Sequence, residues 1–200
     1  MNKRISLRYV SLLFLLLMYA CRDTAQTNSK VILLKPFKGL DPILTGNVYN
    51  RIKALYPNSF ISLPVEIPNQ CYYAPRKRYR ADKLISYLHQ HTEGDTVTIG
   101  LIAQDISTTK GKYYDWGVMG LGYCPGNACI VSTFRLSKNQ LMDQFYKVAI
   151  HELGHTQGLP HCANKSCFMR DAEGGNTLNE EVDFCVSCKA YLKSKGWKFL

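Results

Sequence analysis

One eleven-residue stretch, His151-Glu152-Leu153-Gly154-His155-Thr156-Gln157-Gly158-Leu159-Pro160-His161, constrains this chain more than any other part of it. Its spacing, H-E-x-x-H-x-x-G-x-x-H, asks for a helix followed by a sharp turn. Histidines four apart on a helix lie about 40° apart around the axis, so both imidazoles can face one ion. Glu152 sits one residue round from His151, where its carboxylate can border that ion without binding it. Gly158 accepts positive φ without steric cost, so it can end the helix and bring His161 back as a third ligand. Three neutral imidazoles leave a zinc ion with its full charge and an open fourth position. Such a centre lowers the pKa of water to about 7 and polarises a carbonyl, while Glu152 takes the proton. The alternative is a helix with two surface histidines and His161 in a loop.

Around this stretch, strands and helices alternate. Val31 to Leu34, Phe60 to Val65 and Thr96 to Ile102 read as strands; Leu40 to Tyr56 and Arg80 to Gln90 read as helices. That order predicts an α/β sandwich on a mainly parallel twisted sheet. Trp116 to Gly122 carries three glycines among apolar residues, which suits an antiparallel edge strand closely approached by another backbone. Ala128 to Phe134 is a further β-rich run. Ser137-Lys138-Asn139-Gln140 has the spacing of a capping box and predicts the start of the motif helix, whose buried face is Leu141, Phe145, Val148 and Ala149.

The 200 residues suit one domain, preceded by a leader. Lys3, Arg4 and Arg8 come before an apolar run from Val10 to Ala20, too short to span a bilayer as a helix and ordered like a signal peptide. Ala20-Cys21 resembles the lipobox of bacterial lipoproteins, although Met18 and Tyr19 depart from its usual residues. On that reading Cys21 is lipidated, residues 21–29 are a tether, and the exported protein is held at a cell-envelope membrane. A plain cleaved signal, giving a periplasmic or secreted protein, is the alternative. Without Lys3, Arg4 and Arg8, the 25 basic side chains become 22 against 15 acidic ones, a balance of +7. For an exported protein, the cluster Arg76-Lys77-Arg78 with Arg80 reads as a solvated basic face or a contact to anionic surfaces, not as a nucleic-acid site.

Four cysteines follow the histidines. Cys185-x-x-Cys188 has the short loop that lets two thiolates face one ion, and Cys162-x4-Cys167 is a wider partner, so together they suggest a closed structural zinc site. Lys165, Arg170 and Lys189 are near enough in sequence to offset its charge. Disulfides are the competing assignment, because an exported chain meets oxidants. Upstream, Pro125-Gly126 favours a turn that would suit a small Cys124–Cys129 disulfide, which leaves Cys71 unpaired and buried. His89 and His91 read as a solvated helix end.

The succession of His151, Glu152, His155, Gly158, His161, Cys162, Cys167, Met169, Cys185 and Cys188 resembles the archaemetzincins, a branch of the metzincin zinc metallopeptidases. Tyr72 to Tyr79 is similar to a family segment, with Arg78 where glutamine is expected. The gap from Met169 to Cys185 is about two residues shorter than the family pattern. The resemblance implies a metallopeptidase domain over residues 30–200, with an upper part (30–158) and a lower part (159–200) holding the four-cysteine zinc. It implies two zinc ions per chain, Met169 in a turn beneath the catalytic one, and a peptide or protein substrate paired to the edge strand. A monomer is expected, and endo- or exopeptidase action is left open. Two rivals remain: a basic zinc-ribbon-like binding module, which has no use for Glu152, and an exported scaffold that binds peptides with little turnover.

Overall fold

Along Val31–Pro36 (β1), half-buried and buried residues alternate, with Ile32 and Leu34 facing inward. This strand opens the described part of the chain, residues 30–199 of a computed structural model. The leader, Cys21 and the tether to Ser29 lie outside the described residues. No helix among those described is long and apolar enough to cross a membrane.

Pro42–Leu55 (α1) starts where Asp41 Oδ1 accepts the Ile43 amide at 2.8 Å, and Pro42 occupies the first turn, where no amide is needed. It leads into Ser59–Ile61 (β2), parallel to β1. The predicted strand through Val65 stops at Ile61; Val65 makes only an isolated bridge to Phe37. Two short strands, Tyr72–Tyr73 (β3) and Arg78–Arg80 (β4), precede Ala81–Gln90 (α2). Thr96–Ile102 (β5) then pairs parallel to β1, and Ala128–Ser132 (β9) parallel to β5. Gly120–Gly122 (β8) closes the order β2-β1-β5-β9-β8 as its antiparallel edge. The sheet is therefore mainly parallel, with helices on both faces. All five residues of β9 are buried: Ala128 and Ile130 share a core with α2, Cys129 and Val131 one with α1 and Leu141–Gln157 (α3).

The expected single edge strand over Trp116 to Gly122 is two strands. Tyr113–Val118 (β7) pairs with Ile106–Lys110 (β6) in a second sheet, β3-β4-β6-β7, and the chain changes sheet at Met119. Half of the basic cluster is also not a solvated face. Arg78 is buried with Asp105 and Asp115 at 3.4 and 2.7 Å, and Arg80 is buried on Asp82, Thr109 and the Tyr114 carbonyl, its guanidinium over the Tyr114 ring. Carboxylates and a carbonyl from β7, the start of α2 and the residue before β6 hold these cations, which buried charges require. The capping box does not form. Ser137 precedes a 3₁₀ turn, Lys138–Gln140, with no side-chain cap, and its amide donates instead to Gln144 Oε1 at 2.8 Å.

Beyond α3, Leu159, Phe168, Met169, Leu178, Phe184, Leu192 and Trp197 join the core of α1 and α3. Val186–Ser194 forms a helix (α4) that no pattern noted in the sequence anticipates. Phe184 lies 5.3 Å from Phe168 and 6.3 Å from Trp197, whose ring is 5.6 Å from Tyr56 at the end of α1. This aromatic chain fixes the C-terminal part against the upper core.

Candidate active site and metal centres

The face of α3 that packs on β9 sets the pitch of the motif. Phe145, Ala149, Ile150 and Leu153 are fully buried, so His151 and His155 emerge together on the cleft side. Gly158 caps the helix at φ +101°; its amide donates to the His155 carbonyl and that of Leu159 to Gly154, the paired bonds of a left-handed stop. The turn returns His161, and ring centroids lie 4.7 Å apart for His151–His155, 4.8 Å for His155–His161 and 5.4 Å for His151–His161. One ring nitrogen from each falls within 4.8 Å of the others.

Each imidazole is anchored from behind. Nδ1 of His151 bonds the Phe168 carbonyl at 2.6 Å, Nδ1 of His155 the Leu159 carbonyl at 2.8 Å, and Nδ1 of His161 lies 3.3 Å from an Asp171 carboxylate oxygen. A carbonyl can only accept, so Nδ1 of His151 and His155 carries the proton and Nε2 keeps its lone pair toward the shared space. Burial pushes the pKa of His151 down to about 3 and lowers that of His155, which keeps both neutral. Nothing in the sequence singles out Asp171, a loop acid two residues after Met169 with Glu173 close behind. Graded metal affinity follows from this arrangement. His161→Ala is expected to weaken metal binding as His151→Ala does, and Asp171→Ala by about 10- to 100-fold. Competition against a chromogenic chelator measures all three; full affinity in His161→Ala would remove it from the ligand set.

Glu152 is buried between α3 and β8. A Cβ at Gly120 would stand 2.6 Å from Glu152 Oε1, and one at Gly122 3.1 Å from Oε2. The glycine-rich edge thus admits this carboxylate at Gly120 and, at Gly122, also the Glu152 backbone carbonyl, 3.0 Å from where a Cβ would be, the close backbone approach that the sequence pattern suggested. Burial pushes its pKa up to about 8 in the metal-free chain. Met169 lies fully buried beneath the motif, its Sδ only 2.4 Å from where a Gly154 Cβ would be, so the residue between the helical histidines must be small. A cleft of about 730 Å³ runs past His151, Glu152, His155 and His161, with Met119 to Gly122 along one side and Asp171 to Glu181 along another.

Cys162, Cys167, Cys185 and Cys188 converge, their sulfurs within 4.8 Å of one another. Cys162 and Cys185 sulfurs are 3.7 Å apart, far beyond a disulfide bond and close to the ~3.8 Å that two ligands on tetrahedral zinc require at ~2.3 Å each. All seven described cysteines are free thiols, so the proposed Cys124–Cys129 disulfide is not formed. Cys124 Sγ lies 3.4 Å from the Leu159 carbonyl, while Cys129 is buried in the sheet beside Glu152. Cys71 is a buried thiol, as expected. Amides, more than side-chain cations, face the cluster: Cys185 and Met169 donate to Cys167 Sγ at 3.3 and 3.5 Å, and Asn164 to Cys162 Sγ at 3.5 Å. Arg170 and Lys189 pair instead with Glu180 and Asp183. Burial raises the Cys185 thiol, but hydrogen bonds from Ser187 and Cys188 outweigh it and bring it to about 6, so a thiolate is accessible there. His89 and His91 are exposed at the end of α2, apart from either cluster.

A mixed sandwich with three convergent imidazoles, a buried glutamate and a long open cleft defines a metallopeptidase. The comparisons agree and are more specific. The model of peptidase family M54 matches residues 43–194. The archaemetzincin of Halobacterium salinarum is 33% identical over 137 residues, 62% of this chain and 76% of that protein. The one from Archaeoglobus fulgidus is 29% identical over 150 residues, 73% and 84% of the two chains. Among solved structures, the Methanopyrus kandleri archaemetzincin superposes with a TM-score of 0.71 at 25% identity, over 84% of this chain and 96% of that one. The A. fulgidus archaemetzincin, complexed with malonate, gives 0.67 at 25% identity, over 80% and 98%. The chain belongs to peptidase family M54, the archaemetzincins, and is a zinc metallopeptidase.

Proposed function

We propose that His151, His155 and His161 hold the catalytic zinc through Nε2 and that Glu152 is the general base of peptide-bond hydrolysis. The observation that carries this reading is the backing of all three imidazoles, which leaves three nitrogens facing one point beside a buried carboxylate. Zinc bound there supplies a Lewis acid that polarises a carbonyl and acidifies water. Glu152, fixed under Gly120 and Gly122, takes a proton from water on a carboxylate oxygen and returns it to the leaving amine. Cys162, Cys167, Cys185 and Cys188 hold a second, structural zinc, giving two per chain. The buried Met169 supports the floor of the first site.

Substrate enters as an extended peptide. Within the described sheet, β8 has a partner only on its β9 side, and Met119 to Gly122 line the cleft, so their remaining backbone groups can pair with an added strand. The experiment that tests the reading is hydrolysis of a peptide library by zinc-loaded wild type and by Glu152→Ala, with metal content measured on both.

We further propose that the protein works as an exported lipoprotein anchored through Cys21. Lys3, Arg4 and Arg8, the apolar run to Ala20 and the Ala20-Cys21 step support this. Cys21→Ser is expected to move the protein from the membrane fraction to the soluble one, read by fractionation; unchanged partition would remove the anchor from the account.

A further inference from the structure

One carboxylate in the cleft has no role in the scheme above. Glu181 lines the cleft wall and is only 2% exposed. Thr177 Oγ1 donates to its Oε1 at 3.0 Å, but its buried Oε2 has no hydrogen-bond partner among the described residues. The donors nearby are engaged elsewhere. Lys147 Nζ bonds the Leu178 carbonyl and Asp143, both at 2.8 Å. Arg170 bonds Glu180 at 2.6 Å, and Asn176 Nδ2 bonds Gln144 at 3.1 Å. A buried carboxylate oxygen without a donor is costly, and a cation or donor that reaches it from the cleft removes that cost. Val148 and Leu178 line the cleft as well and offer apolar walls for an aliphatic stem.

We propose that Glu181 determines specificity in a subsite that takes a lysine or arginine side chain of the peptide, the stem lying on Val148 and Leu178 and the cationic head on Glu181 Oε2. This rests on the reading of the cleft as a peptide-binding one. Burial raises the pKa of Glu181, and the Thr177 hydrogen bond and the Lys147 and Arg170 charges act against that rise.

The test separates recognition from turnover. Two matched peptide libraries, one scanning lysine and the other norleucine through every position, are equilibrated with zinc-loaded Glu152→Ala protein, and the bound fractions are read by mass spectrometry. At one position the lysine peptides are expected to be enriched by about tenfold or more, a threshold well below the ~10⁴-fold that a site built for a polar group can reach against an analogue lacking it. In Glu152→Ala/Glu181→Gln that ratio falls to near one. No enrichment at any position, or enrichment that persists with glutamine, makes Glu181 a structural buried acid and overturns the proposal. If the glutamine variant does not fold, Glu181→Asp carries the test: a reduced ratio is expected, and an unchanged one overturns the proposal. Wild type is then assayed on the same libraries. Lysine enrichment without cleavage would defeat the peptidase mechanism and leave this subsite standing.

Discussion

Glu152→Ala is expected to retain its zinc and lose peptide hydrolysis by about 10³- to 10⁴-fold, at the upper end of what general acid–base groups contribute. The three imidazoles keep their carbonyl and carboxylate anchors in this variant, because none of those bonds involves Glu152. The ligand set therefore survives. What disappears is the one carboxylate placed between α3 and the glycines of β8. Alanine there leaves a space that water can fill but no group to accept or return the proton. Equal kcat/KM in wild type and variant, at equal zinc content, would remove Glu152 from the chemistry.

Cys185→Ser has the second large effect, and it acts at a distance. The variant is expected to carry one zinc instead of two, to unfold at a lower temperature and to lose most activity. Structural zinc binds with an apparent strength on the order of 10 kcal/mol in zinc-finger peptides, comparable to the whole stability of a domain. The route to the active site is short. Cys162 follows His161 directly, its amide donates to the Met169 carbonyl at 2.7 Å, and the Met169 side chain packs against Gly154 between the helical histidines. Loosening the cluster loosens the third ligand and the floor together. Elemental analysis, thiol mapping and thermal unfolding read the outcome. Unchanged zinc content, or all four cysteines mapped as disulfides in wild type, would remove the structural site and leave the catalytic one intact.

The parts of this molecule legible in the sequence are those fixed by local geometry. His151 and His155 follow from helical period, His161 from the conformation only Gly158 adopts readily, and the parallel strands from apolar runs between helices. The four cysteines were legible as a cluster, because paired short loops leave little freedom in how thiols meet. What failed was set by tertiary partners. Arg78 and Arg80 look solvated until Asp115 and Tyr114 arrive from β7 and Asp105 from just before β6. Trp116 to Gly122 reads as one strand because nothing local marks the change of sheet at Met119. Ser137 has the spacing of a cap, but Gln144 supplies the acceptor its amide uses. Asp171 and Glu181 sit among other loop acids with no periodicity to single them out, and only the folded cleft shows one beside His161 and the other buried in the cleft wall without a partner for one oxygen.

The most direct measurement is peptide-library cleavage by purified wild type whose zinc has been counted. The account predicts two zinc ions per chain and cleavage that stops when a chelator removes the histidine-bound ion and returns when one equivalent is restored. A protein holding both zinc ions that cleaves no member of the library, before or after that cycle, would contradict it.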